Sequence, residues 1–400
     1  MRARLALHAL PACLIAIGWC SPAAAADWVI NGHGEARDDD NLFRKPGEQR
    51  QSDQIYSAGV GGLLNLNTGG LTGVVGGEIN RSLFAKNDYL NNTGYILNAR
   101  LSRPKGRLTF DLTASRERRL SDFSEIFSNI RNMQTFTQVD GQVRVKLVGD
   151  FRAVVGGSLM RNQNSSAFAS GYNNSSASLG FGYFPPTGNY ITLLYQQSRS
   201  RGLGGQEIDV DGVTQLYRQR YDERRIGATV HYQPSALLLA DVRIGYLHRN
   251  DKSIFDKNFS GVIGDATITW RPRRTIEVVA RAGRQLQSDG YIYSDSVRQD
   301  FVSLLARSSV TNHLKVDLLA SYAKQHFVYD ILSPVPIEPR TDRLRQLKAG
   351  VSYALSDRMT LRLEGRRSWR RSTNELYPFT ENAGTLGIKF AFGPGAKIVR

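Results

Sequence analysis

Three places in the sequence hold side chains whose type and spacing could do chemistry. The first is Asp38-Asp39-Asp40, inside GHGEARDDDNLFR (residues 32–44), where clustered carboxylates are hard oxygen ligands for a divalent cation. The second is IDVDGV (208–213), which begins like a calcium loop at Asp209, Asp211 and Gly212 but lacks the later ligands at the needed spacing. Asp211-Gly212 reads better as the tip of a hairpin. The third is His231. A histidine base must meet a nucleophile in space, and no local serine motif accompanies it. There is no HExxH and no phosphate-cradling loop, and the glycines of GVGGLLNLNTGGLTGVVGG fall outside the dinucleotide spacing. The expectation is no catalytic residue, no resident metal and no cofactor.

The elements that would position these residues begin after an export signal. Arg2 and Arg4, an apolar stretch from about Ala12 to Trp19, and Ala24-Ala25-Ala26 read as a secretory signal over residues 1–26, cleaved near Ala26. Both cysteines, Cys13 and Cys20, lie inside it, so disulfides and thiolate chemistry are not expected in the mature chain. The whole chain carries a formal charge of +16. An exported protein seldom meets nucleic acid, so anionic lipid headgroups or an acidic solute are the natural partners. No long apolar run follows residue 26, which excludes membrane helices but not a membrane barrel, whose strands are only half apolar.

From residue 53 onward, segments of roughly ten alternating residues recur. In RLTFDLTAS, Leu108, Phe110, Leu112 and Ala114 share one face, and Thr109, Asp111 and Thr113 the other. MTLRLEGR separates Met359, Leu361 and Leu363 from Arg362, Glu364 and Arg366. Short turns, as at Asn67-Thr68, Pro104-Lys105, Pro234-Ser235 and Pro272-Arg273, alternate with long polar loops. That rhythm predicts an all-β chain: a transmembrane antiparallel up-and-down barrel of about 18 strands, or alternatively 16, over residues 27–392. Residues 393–400 are left as a periplasmic tail.

Five strands end on their apolar face with an aromatic, Tyr183, Tyr232, Trp270, Tyr353 and Phe392. Amphipathic rings favour the membrane interface, so this row predicts the periplasmic girdle. The charged face must point inward, because an Arg facing lipid near the midplane costs roughly 2–4 kcal/mol.

GEARDDDNLFR, with the spaced strands that follow, resembles the N-terminal signature of a family of outer-membrane β-barrel porins frequently associated with extracellular polysaccharide production and export. Asp39, Asp40, Asn41, Leu42, Phe43 and Arg44 carry the core of the motif. The resemblance implies a porin-like protein of a Gram-negative outer membrane, serving as a pore or component for polysaccharide export. Its implied partners are lipid and lipopolysaccharide, an acidic polysaccharide, periplasmic export components and the barrel-assembly machinery. A general or anion-selective uptake porin and a non-conducting structural barrel stay open, with a lipid hydrolase acting through His231 behind them. The three aspartates then mark the first exit from the membrane, where Asp and Asn bond nearby backbone, with a cation site as the alternative.

The inward face is expected to line a pore with Arg100, Asp111, Arg144, Lys146, Arg225, Arg243, Asp265, Arg281, Asp317, Arg362, Glu364, Arg366 and Lys389. Bases outnumber acids, which biases a lumen toward anions. In SDFSEIFSNIRN, Phe123, Ile126, Phe127 and Ile130 recur at helical spacing, so this loop could fold inward as a short helix and constrict the pore. The clusters Arg116, Arg118 and Arg119, and Arg366, Arg367, Arg370 and Arg371, are expected toward the outer rim, facing lipopolysaccharide phosphates.

Overall fold

The alternating segments close into one barrel. The computed structural model of the chain describes residues 25–126, 129–166, 171–204, 206–210, 213–217, 220–252, 258–287, 297–327 and 340–394. The expected signal, with Cys13 and Cys20, lies outside these residues up to position 24, as does the tail from 395. The strands of the first half are β1 (Ala25–Asp39), β2 (Asp53–Thr68), β3 (Leu71–Phe84), β4 (Asn92–Arg103), β5 (Leu108–Leu120), β6 (Met133–Lys146), β7 (Phe151–Asn164), β8 (Tyr172–Tyr183) and β9 (Tyr190–Gly202). A small hairpin, β10 (Gln206–Val210) and β11 (Val213–Tyr217), rises from the next connection. The wall resumes with β12 (Arg220–Ser235), β13 (Leu238–Asp251), β14 (Phe259–Arg273), β15 (Ile276–Gln287), β16 (Val297–Ser309), β17 (Leu314–Phe327), β18 (Thr341–Ser356), β19 (Met359–Ser372) and β20 (Phe379–Phe392).

Eighteen of these strands form one sheet in which each pairs antiparallel with its chain neighbour, β9 with β12, and β20 with β1. Closure removes every sheet edge, as a bilayer core requires. The first strand begins before the expected barrel start at residue 27, because its pairing with β2 runs from Ala25 to Asp39. The first short turn sits two residues later than expected, at Gly69-Gly70. Both glycines have positive φ (54° and 84°), the conformation a two-residue hairpin demands. Pro234 and Pro272 lie not in turns but at the ends of β12 and β14, inside register shifts between Tyr232 and Ser235 and between Trp270 and Arg273. Proline has no N–H to give the ladder, so the strands bulge there before turning.

Leucines, valines and aromatics cover the outer face, among them Leu363, Leu179 and Ile226, all more than half exposed. In a bilayer these meet lipid. The buried apolar cluster lies instead inside the barrel, at the end carrying the long loops. It joins Leu42 and Phe43 of the first loop, Ile55, Phe84 and Leu90, and Phe123 of the third loop.

Candidate functional site: the lumen and its inner loops

The motif Asp39–Arg44 builds the anchor of this cluster. Asp39 ends β1 and accepts the backbone N–H of Asn41 (3.0 Å), the local bond that turns the chain. Asn41 is buried, donates to the carbonyls of Lys45 and Thr380 (2.8 Å each), and accepts the Lys45 amide (2.9 Å). These bonds tie the first loop to β20 and leave Leu42 and Phe43 facing the lumen. Arg44 takes a left-handed φ of 56°. Its guanidinium donates to both Asp39 oxygens (3.1 and 3.2 Å) and meets Glu381 at 3.4 Å. Asp40 accepts the amide and side-chain N–H of Asn382, both at 2.7 Å. The acids thus bind cations and amides of the chain itself. Among the described residues no group of three acids or histidines is gathered in metal-binding geometry.

The third loop meets this anchor from the opposite side. A single helical turn, α1 (Phe123–Ile126), presents Phe123 edge-on to Phe43, with ring centres 4.8 Å apart. The Ile126 side chain and all of Phe127 lie outside the described residues, and Ile130 is half-buried beyond the turn. Asp122 accepts the Ser124 amide (2.7 Å), fixing the start of the turn. Loss of water raises the Asp122 pKa, but the charge of Arg44 and the Ser124 amide outweigh it and hold the carboxyl below its ordinary value of 3.8. Arg370 donates from across the lumen to the Ser124 carbonyl (2.8 Å).

Below the loops, the thirteen expected inward residues all lie on the face opposite the exposed apolar side chains. They gather into groups rather than one ring. Asp317 accepts two bonds from Arg362 (2.7 and 3.0 Å); Arg362 also reaches Glu364 (2.9 Å), which meets Lys348 at 2.8 Å. Lys389 and Arg366 join this group around a cleft of about 640 Å³. Arg243 pairs with Asp265 (3.0 Å) and Arg100 with Asp111 (Nε, 3.2 Å). Arg144, Lys146, Arg225 and Arg281 make no ion pair among the described residues.

Nearer the loops a second cavity of about 400 Å³ is lined by Arg44, Arg281, Arg345 and Arg366, against the acids Asp122 and Glu381. Arg281 and Arg345 lean on the rings of Phe301 and Tyr322, at 6.0 and 5.8 Å. The sequence reading missed Arg345 and Glu381 here. The signal for the inner loop was Leu42-Phe43, two apolar residues in an otherwise polar connection.

The rim arginines require a correction. Arg370 faces inward, buried against Phe379 (5.0 Å); Arg366 lies on the inward face with the pore-lining residues, and of this cluster only Arg367 and Arg371 alternate outward. The strand simply keeps its period of two through the cluster. Tyr183, Tyr232, Trp270, Tyr353 and Phe392 stand half-exposed on the outer face at the short-turn ends of β8, β12, β14, β18 and β20. Phe151 shares that level, 5.3 Å from Tyr183.

Comparison with known proteins agrees with the eighteen-stranded closed wall. Residues 209–392 match the family described as "Putative beta-barrel porin 2". This is a porin-like outer-membrane β-barrel. The matched residues form its C-terminal half and do not include the Asp39–Arg44 motif. No curated protein matches the chain. Among solved structures it is similar to Pseudomonas aeruginosa OccK2 (OpdF), with TM-score 0.50 and 9% identity over 92% of this chain and 98% of that one. It is similar also to a BenF-like porin from Pseudomonas fluorescens Pf-5, with TM-score 0.50 and 12% identity over 92% and 99%. At such identities the likeness is one of fold.

Proposed function

We propose that this porin-like barrel is a pore for anionic solutes and that its cargo is an acidic extracellular polysaccharide. The observation that carries the anionic preference is the cavity beside the inner loops. Its arginines outnumber its acids, and Arg281 and Arg345 rest on aromatic rings without a carboxylate partner among the described residues. A planar guanidinium held on a ring keeps its edge free for a carboxylate or phosphate. The choice of polysaccharide over smaller anions, and of export over uptake, rests on the resemblance carried by Asp39–Arg44. No catalytic role is assigned: His231 is bonded to Asp241 (2.6 Å), with no serine in that pair. On the outer face, Arg367 and Arg371 are suited to lipopolysaccharide phosphates.

Single-channel conductance across a planar bilayer with a salt gradient tests this reading. An anion-selective current that loses selectivity in R281Q/R345Q supports it. A silent barrel favours the non-conducting structural reading. A current that is anion-selective but insensitive to acidic polysaccharide favours a general uptake porin.

A further inference from the structure

At the short-turn rim, Lys146 on β6 stands directly opposite Arg152 on β7, and Arg144 lies two residues from Lys146 on the same inward face. Like charges directly opposite destabilise a strand pair. None of the three makes an ion pair among the described residues. Asp111, diagonal to Arg144 on β5, is already held by Arg100. Three bases are thus gathered on one patch of wall without an acid to answer them.

What lies beside them is aromatic. The guanidiniums of Arg144 and Arg152 sit 5.5 and 5.8 Å from the ring centre of Phe184, in the β8–β9 turn. Phe184 stacks on Tyr190 (5.3 Å), and Tyr190 on His231 (5.1 Å, rings within 9° of parallel). His231 Nδ1 lies 2.6 Å from Asp241. The row therefore runs from positive charge, through three rings, to a hydroxyl- and carboxylate-bearing end. A small inorganic anion would use the bases and ignore the rings. A neutral sugar would leave the bases unanswered.

We propose that this row is a binding site for a carboxylated sugar polymer at the periplasmic mouth. Arg144, Lys146 and Arg152 receive a sugar carboxylate through charge-assisted hydrogen bonds. The ring edges cover the apolar face of the next sugar, and Tyr190 with the His231–Asp241 pair meets its hydroxyls. The site depends on the pore reading for its role in transport, but not for its chemistry.

The test is isothermal titration of the full-length barrel in detergent with a hexameric polyuronate, a neutral glucan of equal length and inorganic phosphate. The polyuronate is expected to bind about tenfold or more tightly than either control. K146Q/R152Q should weaken it at least about tenfold, the size of one lost charged hydrogen bond. R152K, which keeps the charge, should retain most of the binding, and an unchanged circular dichroism spectrum of the double variant shows that its weakened binding is not misfolding. Equal binding of glucan or phosphate, or an unchanged dissociation constant in the double variant, overturns the site. Conductance on the same preparation separates the two readings. A silent barrel that binds polyuronate through these residues keeps the site and loses the pore. A conducting barrel unmoved by the substitutions loses the site alone.

Discussion

Arg370 on β19 donates a 2.8 Å hydrogen bond to the backbone carbonyl of Ser124, a residue 246 positions earlier in the chain. One loop is thereby held to a wall strand far from its own. A hydrogen bond from a charged donor is worth about 1.5–3 kcal/mol, so losing it shifts the seated loop's population by more than tenfold. R370Q is expected to raise conductance and its fluctuations, with little change in the melting of the wall. Single-channel noise analysis measures the first and circular dichroism the second.

Phe43 and Phe123 meet edge-on at 4.8 Å inside the apolar cluster. Truncating a buried Phe to Ala costs roughly 3–5 kcal/mol. F123A should therefore expose the third loop to protease within minutes while the barrel stays intact. Mass spectrometry of the fragments locates the cut; cleavage outside residues 121–132 would count against this arrangement.

Asp122 sets a pH limit on the same seat. Its carboxyl titrates below its ordinary 3.8 in the folded protein. A lowered folded value means that its contribution is complete above the unfolded value and is lost as pH falls through the lowered one. Loop fluctuations should stay constant from neutral pH down to the ordinary carboxylate range and grow in stronger acid. D122N should fluctuate at every pH. Current noise recorded in a pH series checks both.

Arg362 serves two acids at once, Asp317 and Glu364. R362Q leaves Asp317 and Glu364 with Lys348 and makes the local field less positive. A unit charge about 8 Å from a passing ion is worth roughly 0.5 kcal/mol in water, about a twofold change in permeability ratio toward cations. Reversal potentials in a salt gradient read this out.

Leu363, the next residue, is the outward control. It is more than half exposed on the lipid face. It lies two residues further from the short-turn rim than Leu361, the partner of the girdle residue Tyr353. L363R should therefore cost less than the roughly 2–4 kcal/mol of a midplane site, about 1–2 kcal/mol, seen as a lower urea midpoint in vesicles.

The wall was legible in the sequence because its physics is local. Period-two alternation in stretches such as Leu108–Ala114 needs no distant partner, and the spacing of turns fixes up-and-down topology. The inner loops were only half legible. Phe123 showed helical spacing, and the aspartates showed a turn. The contacts that matter, Arg44 with Glu381 and Arg370 with Ser124, join residues hundreds of positions apart. Nothing local marks such partners. Arg44's left-handed backbone was equally hidden, since a non-glycine adopts it only under constraint from its surroundings. The like-charged pair Lys146 and Arg152 emerges only once β6 and β7 are in register.

The bond between Asp40 and Asn382 has a further consequence. It lies beside the pairing of β1 with β20, the one ladder whose two strands stand at opposite ends of the strand order. Every other wall ladder links consecutive wall strands and can form as a hairpin or as the next strand of a growing sheet. This one is a clasp that fastens after the whole ribbon has curled round. Until then β1 waits with one flank unpaired, and the sheet that grows from it is open. Asp40, the last of the three acids, bonds Asn382 at the long-loop end of that seam. The stitch that locks the hoop is therefore made by the residue at which the first strand leaves it.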